Sequence, residues 1–84
     1  MIYVYILRGG ADGEHFYVGI SNDLKSRLRQ HNAGKVFHTA KHRPWTLKNY
    51  VAFEDEQKAH AFERYLNNRL RPGLRQKALL ETTP

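Results

Sequence analysis

Two short runs of β-branched and aromatic residues, IYVYIL at 2–7 and HFYVGI at 15–20, bracket the Gly- and Asp-rich stretch RGGADGE. Runs this short do not make helices of ordinary size, and glycines around an aspartate are turn chemistry, so the chain opens as strand, loop, strand. Side chains alternate along a strand, which puts Tyr3, Tyr5 and Leu7 on one face of the first. In the second, His15, Tyr17 and Gly19 face away from Phe16, Val18 and Ile20. Depending on register, a hairpin sets Tyr5 and Tyr17 side by side, and Gly19 leaves a gap beside them.

The remaining residues must close a core over this hairpin. At 84 residues there is room for one domain, 1–84, and with no cysteine neither disulfides nor a thiolate zinc site can substitute for packing. Ser21 and Asn22 suit a helix N-cap, Asp23 suits the first turn, and Gly34 is a natural stop, which predicts a helix over 23–33 with Leu24 and Leu28 as its apolar stripe. KVFHTAKHRP is a basic loop, and WTLKNYVAF at 45–53 alternates as a third strand. EDEQKAHAFERYLNNRL at 54–70 is an amphipathic helix whose buried stripe is Ala59, Phe62, Leu66 and Leu70. Pro72 and Gly73 end it, and LRQKALLE at 74–81 makes a short third helix. The expected fold is therefore a small α/β domain of the α+β type. It has a three-stranded, mainly antiparallel sheet flanked by helices, in the order β-β-α-β-α-α.

The net charge is +6, and its placement matters more than its sum. Lys25, Arg27, Arg29, Lys35, Lys41, Arg43 and Lys48 fall in one stretch with His31, His38 and His42 and without a single Asp or Glu. A field of that sign attracts polyanions, so the default partner is nucleic acid. Lys25, Lys35, His38, Lys41, His42 and Arg43 are the expected phosphate contacts. His38 and His42 have the spacing of a helical zinc pair but lack the accompanying glutamate motif and lie in a loop. The apolar MIYVYIL has no leading positive region or small-residue cleavage site, and Arg8 ends it too early to span a bilayer. A cytoplasmic protein without membrane attachment is expected, and no feature calls for an obligatory protein partner.

Five side chains stand out as chemistry. Arg27 and His31, one helical turn apart, border the apolar stripe of the first helix. Glu63 lies between Ala59 and Leu66 on the second, where a carboxylate is costly unless it meets a cation or a metal; an internal ion pair, for instance with Arg27, accounts for it equally well. Asn67 is one turn beyond. Tyr17 is carried by the strand that leads into the first helix. Glu54, Asp55 and Glu56 need no such role, because acids at a helix N-terminus cap it and complement its dipole.

In this order the residues resemble the GIY-YIG nuclease domain, in particular its short stand-alone bacterial members. YVY at 3–5 stands for the first triplet, with Tyr3 in place of the name-giving glycine, and YVG at 17–19 for the second. DLKSRLRQHNAGK supplies the arginine and histidine helix, and HRPW and AFERYL, with Glu63, complete the match from Ile2 to about Leu70. The resemblance implies an endonuclease that hydrolyses phosphodiester bonds with low sequence specificity, DNA being the first-choice substrate and DNA repair or processing the setting by analogy. It implies one Mg²⁺ or Mn²⁺ held by Glu63, and a catalytic set of Tyr5, Tyr17, Arg27, His31 and Glu63, with Asn67 as a candidate contact to nucleic acid. Tyr5 is then the general base, Tyr17 orients water or phosphate, Arg27 clamps the phosphate and His31 assists proton transfer. A phenol titrates near ~10, so a tyrosinate needs positive charge close by. The rival readings are a non-catalytic or weakly catalytic nucleic-acid-binding module and a small basic component of an RNA–protein assembly.

Overall fold

The computed structural model describes residues 1–70; the helix expected at 74–81 lies outside them. Strand β1 (Ile2–Gly9) turns into β2 (His15–Ser21), α1 (Leu24–Asn32) follows, and a single 3-10 turn at Ala40–His42 interrupts the basic loop before β3 (Trp45–Phe53) and α2 (Glu56–Leu70). The sheet order is β2-β1-β3 with both pairings antiparallel, so β1 is central. This is the expected three-stranded α+β architecture, and β3 has the expected bounds.

The alternation read from the sequence assigns the two helices to opposite faces. Val4 and Val18 pack with Ala59, Phe62 and Leu66 of α2. Tyr5, Leu7 and Trp45 pack with Tyr17 and with Leu24 and Leu28 of α1. Register fixes the second face: Tyr5 lies opposite Gly19, and Leu7 opposite Tyr17. The β1–β3 register slips between Ile6 and Leu7, which pair with Asn49 and Leu47. Lys48 is the extra residue, a bulge of the kind that re-aims a side chain, and its ammonium stands 5.8 Å from the centroid of the Phe16 ring. Lys48 thus leaves the basic stretch and joins Arg8 over Phe16, on the face away from α1.

The first helix starts one step later than expected. Asp23, not Ser21 or Asn22, is the N-cap, and its carboxylate accepts from the Ser26 N–H at 3.1 Å. Ser21 remains in β2 and its hydroxyl accepts the Asp23 N–H at 3.0 Å. Gly34 is the stop: at φ +78° it donates to the His31 carbonyl (3.2 Å), and Lys35 donates to that of Gln30 (3.0 Å), the paired bonds of a Schellman motif. Asp55 caps α2 by accepting from the Gln57 N–H at 2.8 Å and the Lys58 N–H at 3.3 Å. Asp23→Ala removes a cap at the helix that carries Arg27 and His31. It is expected to cost about 1 kcal/mol, read as a lower urea midpoint at unchanged slope. Among the described residues no helix is long and apolar enough to cross a membrane.

Candidate active site

Tyr5 is only 2 % exposed, at the centre of the face that α1 covers. Its ring lies over Gly19: a Cβ on that residue would run into the Tyr5 ring and hydroxyl and crowd Tyr17 as well. The gap expected beside the tyrosines is therefore filled by Tyr5 itself, and the glycine is a packing requirement at a close approach. The Tyr5 and Tyr17 ring centroids are 6.3 Å apart, and that of Tyr17 is 4.9 Å from His31. Tyr17 is the half-buried member of the group, nearer to solvent than Tyr5.

His31 is more deeply placed than its position at the border of the apolar stripe suggests. It is completely buried, because the loop after α1 folds back over it and Thr39 bonds to its ring. The hydrogen bonds fix its tautomer. The Thr39 hydroxyl donates to the Val36 carbonyl at 3.3 Å, so its oxygen accepts the Nδ1–H of His31 at 2.7 Å. Nε2 is then the bare nitrogen, and the Tyr5 hydroxyl, 3.0 Å away, donates to it. Burial, and secondarily the Arg27 charge, push the His31 pKa down to about 4. A neutral imidazole is what this network requires at neutral pH.

Burial also raises the Tyr5 pKa above its usual value, and the hydrogen bond and charge of Arg27 pull against it without reversing the sign. The expected lowering of a tyrosine by nearby positive charge is thus present but outweighed in the free protein. Arg27 donates to the Gln30 side chain at 2.9 Å, which leaves most of its five guanidinium donors to other partners.

Several residues that hold this arrangement carried no recognisable signal in the sequence. Thr39 is 1 % exposed, in the stretch expected to be a basic loop. Its carbonyl accepts from the Trp45 indole N–H at 2.8 Å. Asn32 in turn grips the Trp45 backbone in both directions, donating to its carbonyl at 2.9 Å and accepting its N–H at 2.6 Å. The chain Asn32–Trp45–Thr39–His31–Tyr5 locks the loop onto the site.

Glu63 is not part of that cluster. It is half-buried on α2, which packs on the other face of the sheet. The Asn67 amide donates to its carboxylate at 2.5 Å and to its main-chain carbonyl at 3.1 Å. The ion pair with Arg27 is absent; among the described residues the contact between a carboxylate and a basic side chain is Glu56 with the His60 imidazole, at 3.6 Å. Of the expected phosphate contacts, Lys25, Lys35, His38, Lys41 and Arg43 are exposed. His42 is stacked on His15 with centroids 3.7 Å apart, and desolvation there, then the His15 charge, lower its pKa.

A three-stranded antiparallel sheet with a helix on each face, and with a tyrosine from each hairpin strand meeting an arginine and a histidine from the following helix, describes a class of small nuclease domain. The model of the GIY-YIG catalytic domain matches residues 1–77, and the chain belongs to that family of nucleases. It is similar to a UPF0213 protein of Lacticaseibacillus paracasei, 39% identical over 70 residues that make up 82% of this chain and 76% of that protein. It is also similar to a UPF0213 protein of Bacillus halodurans solved by solution NMR, at 32% identity and a TM-score of 0.47, covering 100% of this chain and 89% of that one.

Proposed function

We propose that this protein is an endonuclease that hydrolyses nucleic-acid phosphodiester bonds with the help of one divalent cation, and that Tyr5, Tyr17, Arg27, His31 and Glu63 carry the reaction. The observation that supports it most is the directed hydrogen bond from the buried Tyr5 hydroxyl to the bare Nε2 of His31. Burying a phenol against a neutral imidazole is a costly way to fill a core that an apolar side chain would fill more simply.

Hydrolysis needs an in-line water that loses a proton as it attacks. Such a water gives its proton to the Tyr5 oxygen while the Tyr5 proton passes to His31 Nε2, so that no free tyrosinate has to form first. The new bond joins the water oxygen to phosphorus, the bond to the leaving oxygen breaks, and solvent supplies that oxygen's proton. Tyr5 is too deeply placed to touch the nucleic acid itself; Tyr17, nearer the surface, orients the water or the phosphate. The planar guanidinium of Arg27 meets the non-bridging oxygens, whose charge grows in the transition state.

The donor set is lean. Among the described residues no three His, Cys, Asp or Glu side chains converge, which argues against a zinc cage. One rigid carboxylate agrees with Mg²⁺ or Mn²⁺, which take one or two carboxylates and complete their shell with water and substrate phosphate. Glu63 would hold the ion, which when bound supplies positive charge at the phosphate and the leaving oxygen. Lys25, Lys35, His38, Lys41, His42, Arg43 and Asn67 are the proposed contacts to the strand, and contacts of this kind position the substrate without reading its sequence.

The test is cleavage of labelled single-stranded, duplex and branched DNA and of RNA with Mg²⁺, Mn²⁺ or EDTA. Cleavage with metal, none in EDTA, and a tenfold or greater loss in Glu63→Gln are expected. Binding without cleavage under every condition would favour a nucleic-acid-binding module instead.

A further inference from the structure

Phe37 has no part in the reaction described above, yet it is the most exposed large apolar side chain among the described residues, at 88 %. We propose that Phe37 is a stacking platform for an unpaired nucleobase, and hence that this protein acts on single-stranded or locally unpaired nucleic acid. The inference rests on the nuclease reading and names the substrate class of the same site.

The ring is held out by a loop that is itself tied down. Lys35 donates to the Gln30 carbonyl at 3.0 Å and Thr39 to that of Val36 at 3.1 Å, on either side of Phe37. The Thr39 carbonyl is held by Trp45. Phe37 contacts the His38 ring edge-to-face at 5.6 Å, and together with Ala40 and Lys41 these residues line an open depression of about 330 Å³.

The chemistry around the ring selects the ligand. Lys35, Lys41 and Arg43 belong to a stretch without acids, so the partner must be anionic as well as flat and apolar. An apolar protein face would suit the ring but leave the cations unanswered, and an acidic peptide would do the reverse. A nucleotide joins an aromatic face to a phosphate and answers both, as in proteins that track single strands by stacking bases over a basic groove. In a duplex both faces of an internal base are already stacked, which leaves unpaired or frayed bases as ligands. Phe37 precedes by two residues the Thr39 that bonds His31, a chain span of at most ~7 Å. A base on Phe37 and a phosphate near Tyr17 therefore belong to one short stretch of strand.

The test is the affinity, in EDTA so that nothing is cut, of the whole chain for fluorescent single-stranded and duplex oligonucleotides of equal length. Wild type, Phe37→Ala, Phe37→Leu and Phe37→Trp are compared after thermal melts confirm equal stability. Phe37→Ala and Phe37→Leu are expected to weaken single-strand binding about tenfold and duplex binding less than twofold, at unchanged salt dependence. Phe37→Trp should restore single-strand binding, and 2-aminopurine in the strand should be quenched by the wild type but not by Phe37→Ala. Equal losses on both substrates, or no loss on either, would overturn the proposal while leaving the nuclease reading intact. Failure of the wild type to bind any nucleic acid would overturn both.

Discussion

Tyr5→Phe is expected to lower the cleavage rate by roughly 10²–10⁴-fold, the usual contribution of a positioned acid or base, with little change in substrate affinity. The substitution keeps the ring that fills the space over Gly19 and removes one oxygen. It also leaves the buried Nε2 of His31 without its donor, at a stability cost of roughly 1–3 kcal/mol, so rates belong at a temperature where circular dichroism shows the variant still folded. Tyr17→Phe is the necessary companion. Tyr17 is closer to solvent and makes no hydrogen bond to His31, so its loss should cost less than that of Tyr5 and should raise KM as well as lower kcat. If Tyr17→Phe abolished turnover while Tyr5→Phe left it intact, the two phenols would exchange roles and the Tyr5–His31 pair would be structural.

The fold was largely legible because it is written in local patterns. Alternation in β1 and β2 correctly separated Tyr5 and Tyr17 from Val4 and Val18, and the stripes Leu24–Leu28 and Ala59–Phe62–Leu66 are the ones that pack. The site was legible only in part, since it depends on what a loop does after it leaves a helix. Periodicity places His31 at the border of an apolar stripe; it cannot reveal that residues 36–45 return to bury it. Thr39 and Asn32 looked like ordinary loop and helix-end residues, and their importance lies in partners six to thirteen residues away. The misplaced N-cap has a local cause: β2 continues through Ser21, whose hydroxyl accepts the Asp23 N–H, and α1 begins only at Leu24, so the cap position falls on Asp23. Lys48 belongs to the basic stretch in sequence, but the bulge sets it over Phe16 on the face away from α1, which no composition count can detect.

A second large effect follows from the buried imidazole. In the unfolded chain His31 takes up a proton as pH falls through ~6.5; in the folded protein it resists until about 4. Between those values the unfolded state binds more protons, so stability is fully present above pH ~6.5, is lost as pH falls towards 4, and levels off below. The shift corresponds to a loss of about 3 kcal/mol, a large share of what an 84-residue domain has to lose. Other groups act in the same range: the Asp12 carboxylate is held low chiefly by the Glu14 N–H, and His42 is also depressed. The comparison that isolates His31 is urea unfolding of wild type and His31→Gln at pH 7, 5.5 and 4. Glutamine can donate to Thr39 and accept from Tyr5 without titrating, so the contributions of Asp12 and His42 cancel in the difference between the two proteins. Wild type is expected to lose about 3 kcal/mol more than the variant between pH 7 and 4. Parallel losses would mean that His31 charges freely in the folded state, and a protonated Nε2 could not accept the Tyr5 proton. The stability measurement therefore also tests the direction of the hydrogen bond on which the proposed reaction depends.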